Sequence, residues 1–309
     1  MATPTTTTHT AAGGPRGGAP AAAAAAARVI VVEGVIAAGK TALVEAIVGR
    51  LRAGGRPAVA VLEPVERWRE TGALRRFYAS PAEGAYEFQS FVYATRVIAI
   101  AEAVAAAPPE TEFFVLERSP ASDGVFWALL EGAAPPHAGV MYGAWRHAWD
   151  LALPLDLRRA EAVYVRPSLA QCMRRLAARA REGETPAAAD GAALLADEGD
   201  ADGPADGGDA DGPADAGEGA PPRGGVTLEY ETRLRRAHDE FMGLPLGPGF
   251  EGEAPPPVGR APYARVHLIP EALADLDFRE GASACDEVVA EVLRRLGVAA
   301  AAAGGPAAA

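Results

Sequence analysis

Between the apolar runs RVIVV and ALVEAIVGRL lies EGVIAAGKT, residues 33–41. Gly34, four residues, Gly39, Lys40 and Thr41 fit the pattern G-x-x-x-x-G-K-[ST], set between a strand-like and a helix-like segment as that motif requires. Glycines there let backbone N–H groups turn inward onto phosphate oxygens, and the following helix adds the positive end of its dipole. Lys40 would supply a point charge at the terminal phosphates, and Thr41 a hydroxyl for Mg2+. The pattern implies nucleoside triphosphate binding. It does not say where the terminal phosphate goes.

Polar residues also follow two other apolar runs. Glu63 opens EPVERW, and Glu117 and Arg118 close EFFVLERS. A carboxylate facing a phosphate cradle can take the proton of a hydroxyl nucleophile. An arginine beside it can hold developing phosphate charge. Tyr78 and Gln89 flank the start of a long helix, and Gln89 both donates and accepts, which suits the edge of a nucleobase. Arg96 lies seven residues after Gln89, two turns on and so on the same face. Asp123 lies six residues after Glu117.

The elements that must position these residues alternate. Short β-branched runs at 28–34, 57–64, 112–119, 161–168 and 264–270 read as strands. Helical spacing covers 40–53, 86–107, 139–153, 168–182, 226–243 and 284–296. This order predicts an α/β fold with a parallel sheet of about five strands and helices on both faces. Functional residues are then expected at the carboxyl ends of the strands.

Composition narrows the chain further. Of 309 residues, 1–27 and 298–309 are dominated by Ala, Gly, Pro and Thr, and both are expected to be disordered tails. The stretch 185–222 holds ten acids and no Lys or Arg, so it supplies −10 of the net charge of −12. An acidic, disordered insert is expected over 185–225. The remainder carries only −2, so no basic footprint for nucleic acid is expected. About 230 residues are left, which suits one compact domain over 28–297. Two distant cysteines, Cys172 and Cys285, fit neither a metal site nor a disulfide framework and favour a reducing compartment. No apolar run approaches the ~18 residues that span a membrane. The location expected is intracellular and cytoplasmic, with a mitochondrial one as the alternative, because the acid-free start faintly resembles a transit peptide.

Taken together, EGVIAAGKT, EPVERW, FQSFVYATR, ERSPASD, YGAWRHAW and AVYVRPSLAQCMRRLAARAREGE resemble, in order and spacing, the deoxyribonucleoside kinases of the deoxycytidine/deoxyguanosine kinase type. The resemblance covers about 28–184 and 226–297. It implies a P-loop kinase with an arginine-rich lid, moving the γ-phosphate of ATP, with Mg2+, to the 5′-hydroxyl of a deoxynucleoside in nucleotide salvage. It implies that Gly34, Ala37, Ala38, Gly39, Lys40 and Thr41 hold the phosphates, and that Thr41 and Glu117 serve Mg2+. Glu63 would be the general base, with Arg118 pairing to it and steadying the transferring phosphoryl. Arg179 and Arg181 would be lid arginines. Tyr78 and Glu184 would hold the 3′-hydroxyl. Trp68 and Phe88 would wall the base, Gln89 would read its edge, and Trp127 stands where the family stacks a Phe. Asp277 and Phe278 in LADLDF match the loop that contacts the ATP base. The family also implies a homodimer through helices resembling 86–107 and 139–153.

In that family an Arg–Asp pair like Arg96 and Asp123 marks enzymes that take deoxycytidine and deoxypurines, whereas Val92 is bulkier than the cytidine type carries. The chain departs from the family in its insert and in Glu182-Gly-Glu184, where a double acid is usual. A thymidine-accepting kinase, a nucleoside monophosphate kinase and a nucleotide-binding module without catalysis stand as alternatives.

Overall fold

A computed structural model of the protein describes residues 24–135, 137–179, 225–245, 259–276 and 282–298. Five strands form one sheet: β1 (Arg28–Glu33), β2 (Ala58–Val61), β3 (Phe113–Glu117), β4 (Glu161–Val165) and β5 (Arg265–Ile269). Their order is β2-β3-β1-β4-β5, and every pairing is parallel. β1 and β3 sit inside the sheet, and their apolar runs are buried on both faces.

The period-two alternation of these strands assigns each side chain to a face. Ile30, Val32, Phe113, Val115 and Val163 pack on helices α1 (Lys40–Ala53) and α10 (Ala282–Arg295). Val31, Phe114, Leu116 and Tyr164 face the other core. That core is covered by α4 (Pro81–Ala106), α5 (Asp123–Leu130), α7 (Leu169–Arg179) and α8 (Leu228–Phe241). Short helices α2 (Val65–Glu70) and α3 (Ala73–Ala79) fill the step between β2 and α4. Helix α6 (Ala138–Asp150) packs outside α4, and α9 (Glu271–Ala274) follows β5.

The strands fall where the sequence places them, within two or three residues. Helix α4 begins earlier than expected, because Pro81 occupies its first turn, where a missing N–H costs nothing. Residues 24–26, at the end of the segment expected to be disordered, form a helical turn with Ala24 buried. The rest of both tails, and 185–224 of the insert, lie outside the described residues.

One expectation is corrected. Helix α4, 26 residues long, is long and apolar enough to cross a membrane. Half of its most apolar stretch is buried, and its inner face carries Phe88, Gln89 and Arg96, so it is a core helix. Its alanines and paired Arg96 hide its apolar character in the sequence.

The turn after β1 depends on a close approach. A Cβ at Gly34 would lie 2.5 Å from the Val165 carbonyl oxygen of β4. Gly34→Ala is therefore expected to lose about 1–3 kcal/mol of stability in denaturant unfolding. Gly49→Ala, in a helix with open space around it, should be neutral or stabilising by up to about 1 kcal/mol. Equal midpoints for wild type and Gly34→Ala would contradict the close approach.

Candidate active site

A pocket of about 700 Å3, counted to its open mouth, lies at the carboxyl ends of β1, β2 and β3. Because β3 lies between β2 and β1, Glu63 after β2, Glu117 and Arg118 at the end of β3, and the loop after β1 converge. The loop's last residue, Gly39, adopts a left-handed backbone at φ 94° and opens α1. Among the described residues only Ala37 and Arg118 are non-glycines at positive φ, and both line the pocket. Such strain of order 1–3 kcal/mol persists where the surroundings over-determine it.

Lys40 is buried at the pocket floor, and its Nζ donates to the Val35 carbonyl at 2.9 Å. Thr41 Oγ1 donates to Glu117 Oε1 at 2.7 Å, and the backbone N–H of Glu63 approaches Glu117 Oε2 at 3.4 Å. Glu63 Oε1 accepts from Arg96 Nη1 at 2.9 Å and lies 3.4 Å from Arg118 Nε. Arg96 turns its other edge to Asp123 in a two-pronged pair at 3.1 and 2.9 Å.

The charges set one another's protonation. Burial pushes the Glu63 carboxyl up, but the guanidiniums of Arg96 and Arg118 outweigh it and hold it well below the usual range. Glu63 is thus ionised across the neutral range. Burial pushes Asp123 up to about 6 against the pull of Arg96. Burial and the Glu63 charge raise Glu117. Burial and Arg118 bring Lys40 down to about 8.

The outer half of the pocket is apolar. Trp68, Leu74, Phe77, Tyr78, Phe88 and Val92 line it. Phe77 stacks on Phe88 at 4.5 Å, and Trp68 meets Phe88 edge-on while its Nε1 donates to Thr95 Oγ1 at 2.9 Å. Gln89 is buried among them, and its Oε1 accepts no hydrogen bond. An orphaned amide oxygen in an apolar slot is costly unless a ligand donor meets it.

A family model for deoxynucleoside kinases matches residues 30–190, just over half of the chain. The chain belongs to the deoxynucleoside kinase family. It is also 28% identical over 172 residues to a probable deoxycytidine kinase of Fowlpox virus (strain NVSL), covering 55% of this chain and 68% of that protein. The protein is therefore a kinase that acts on deoxynucleosides, with ATP as the donor that its family implies. The parallel sheet with helices on both faces agrees with that family's fold.

Most residues singled out from this kinase's sequence converge. Lys40, Glu63, Trp68, Tyr78, Phe88, Gln89, Arg96, Glu117, Arg118, Asp123 and Arg179 all lie around one pocket. Ala38 turns its carbonyl to Arg175 Nη1 at 3.0 Å. Trp127 does not join them. It stacks on Tyr142 of α6 at 4.3 Å, and its neighbour Phe126 lines the pocket under the Arg118 guanidinium at 4.7 Å. A helix turns about 100° per residue, so a one-residue offset moves a ring to another face. Arg181, Glu184, Asp277 and Phe278 lie outside the described residues.

Four polar residues at the site escaped the sequence reading. Arg175 ties the phosphate loop to the Ala274 and Leu276 carbonyls, at 3.0 and 2.7 Å. Tyr230 of α8 lines the pocket. Glu231 is fully buried, and burial pushes its carboxyl up to about 8. His238 Nε2 lies 3.0 Å from Arg118 Nη1. Helix α8 reads as a charged surface helix, LEYETRLRRAHDEF; the signal was Tyr230, Leu234, His238 and Phe241 at helical spacing.

The depressed Lys40 has a consequence in pH. The ammonium is present below about pH 8 in the free protein and is lost above it. kcat/KM for ATP should therefore fall above about pH 8, approaching tenfold per pH unit, because that parameter reports free-enzyme groups. Lys40→Arg, which keeps its charge, should lack this limb even where it is slower. A flat wild-type profile to pH 10 would contradict the assignment.

Proposed function

We propose that this kinase transfers the γ-phosphoryl of ATP to the 5′-hydroxyl of a deoxynucleoside, favouring deoxycytidine and deoxypurines over thymidine, in deoxynucleoside salvage. The observation that carries the reading is the pocket's polarity. A carboxylate and the phosphate-loop lysine stand at one end, and an unsatisfied amide oxygen beside an Arg–Asp pair stands among aromatic walls.

In this reading Glu63 takes the proton of the 5′-hydroxyl as its oxygen bonds to the γ-phosphorus and ADP leaves. A carboxylate held this acidic is a weak base. That suits a loose phosphoryl transition state, in which the proton leaves late. Arg118 turns toward the transferring group, and Lys40 and Arg179 balance the phosphate charge. Among the described residues no three His, Cys, Asp or Glu side chains form a metal cluster. That fits Mg2+, which keeps its waters and takes one or two protein oxygens beside the phosphates. Thr41 and Glu117, already 2.7 Å apart, would supply those oxygens, and the ion would neutralise charge on the transferring phosphate.

Trp68 and Phe88 wall the base, with Phe126 in the place expected of Trp127. Gln89 pairs with the base edge, and Arg96 and Asp123 present donors and an acceptor that crowd a thymine methyl. Tyr78 faces the sugar. A nucleoside monophosphate suits the pocket less well, because Arg96, beside the aromatic walls, is already engaged by Glu63 and Asp123. A homodimer through α4 and α6 is part of the proposal. Val140, Met141 and Trp145 of α6 are exposed apolar residues, and Trp145 already leans on α4 through the Ser90 carbonyl.

The test is ATP-dependent phosphorylation of deoxycytidine, deoxyguanosine, deoxyadenosine and thymidine by wild type and Glu63→Gln. Wild type should turn over deoxycytidine or a deoxypurine fastest. Glu63→Gln should lose roughly 10²–10⁴-fold in kcat with little change in nucleoside KM. Turnover of a monophosphate alone would overturn the acceptor. ATP binding with no turnover of any acceptor would reduce the chain to a nucleotide-binding module.

A further inference from the structure

The Arg118 guanidinium is held by more than Glu63. It lies over the Phe126 ring, its Nη1 is 3.0 Å from His238 Nε2, and the same Nη1 is 4.0 Å from Glu33 Oε2. His238 is fully buried on α8, with Phe126 edge-on to its ring at 5.6 Å. Its other nitrogen, Nδ1, lies 3.0 Å from the Leu234 carbonyl one turn back.

These partners settle the ring's protonation. A guanidinium only donates, so Nε2 must accept. A carbonyl only accepts, so Nδ1 must carry the hydrogen. The imidazole is therefore the neutral Nδ1–H tautomer. Burial and the Arg118 charge both oppose a second proton.

We propose that His238 is a positioning residue for Arg118: it accepts one guanidinium N–H and keeps the arginine aimed at the transferring phosphoryl. The inference rests on the reading of Arg118 given above. The alternative partner is on the page. Glu33 Oε2 is buried and accepts no hydrogen bond, while Glu33 Oε1 is taken by Tyr263 Oη at 2.5 Å and by the Ser119 N–H at 3.2 Å. With His238 gone, Nη1 has Glu33 Oε2, 4.0 Å away and unpaired, as an alternative acceptor, and the guanidinium swings toward β1. Arg118 is already at φ 59°, so its backbone allows little compensating movement.

Two measurements on the full chain test this. The first reads the 15N shifts of the His238 ring in wild type against His238→Gln. A protonated Nδ1 and bare Nε2 at neutral pH are expected, and the Nε2–H tautomer or an imidazolium would overturn the proposal whether or not His238 variants fold. The second compares kinetics with ATP and the best deoxynucleoside. His238→Ala should lower kcat on the order of a hundredfold, the scale of a misplacement near 1 Å, with nucleoside KM within a few-fold. His238→Gln, whose side-chain oxygen can accept the same N–H, should recover most of that loss. An unchanged kcat in His238→Ala, or a loss that His238→Gln does not recover while both variants melt like wild type, would overturn the proposal alone. A wild type inactive on every deoxynucleoside would defeat the reading of the reaction, and the positioning role with it.

Discussion

The rest of the site depends on one constraint: Glu63 must stay ionised while largely removed from water. Its side chain is only 13% exposed. Two guanidiniums meet that requirement, and each then needs partners of its own. Arg96 takes Asp123, and Arg118 takes His238 and the face of Phe126. A buried charge stripped of one partner typically costs 3–5 kcal/mol, so the cluster stands or falls as a unit. Strand order makes it possible, because β3 lies between β2 and β1, so Glu63 and Arg118 leave neighbouring strand ends, and α4, α5 and α8 bring the other groups to them.

The same cluster joins two chemically unlike spaces. Toward β1 the loop presents turned backbone and Lys40, suited to phosphate. Toward α4 the walls are aromatic and the polar groups few. Arg96 belongs to both, since it touches Glu63 on one side and Asp123 on the other. A base engaged by Arg96 and Asp123 would thereby be felt at Glu63, the carboxylate proposed to receive the hydroxyl proton. Helix α8 supports the arrangement from behind, with Tyr230 in the pocket, His238 on Arg118, and Asp239 bridging Arg166 and Tyr164.

Much of this was legible in the sequence for local reasons. The phosphate loop is a contiguous pattern with a strand before it and a helix after it. Arg96 and Gln89 are two turns apart on one helix, so their shared face follows from spacing alone. The five strands are short β-branched runs, and burial on both faces makes them uniform. What escaped depends on phase or on packing between distant segments. Trp127 and Phe126 differ only in which face of α5 each occupies, the first against Tyr142 and the second under Arg118. His238, Glu231 and Arg175 sit in helices whose charge suggests solvent. Packing between distant segments covers them: α8 lies against α5 and α7, with Phe126 on His238, and the half-buried Arg175 reaches the phosphate loop and the end of α9.

The central claim is that one pocket seats a nucleoside with its hydroxyl at Glu63 and its base against Gln89, Arg96 and Asp123. A crystal structure with deoxycytidine and ADP bound tests it most directly. The account predicts the 5′-oxygen within hydrogen-bond reach of a Glu63 carboxylate oxygen, roughly 2.6–3.2 Å, and the base edge meeting the Gln89 amide. A nucleoside lying reversed, or seated elsewhere with Glu63 still closed onto Arg96 and Arg118, would contradict it.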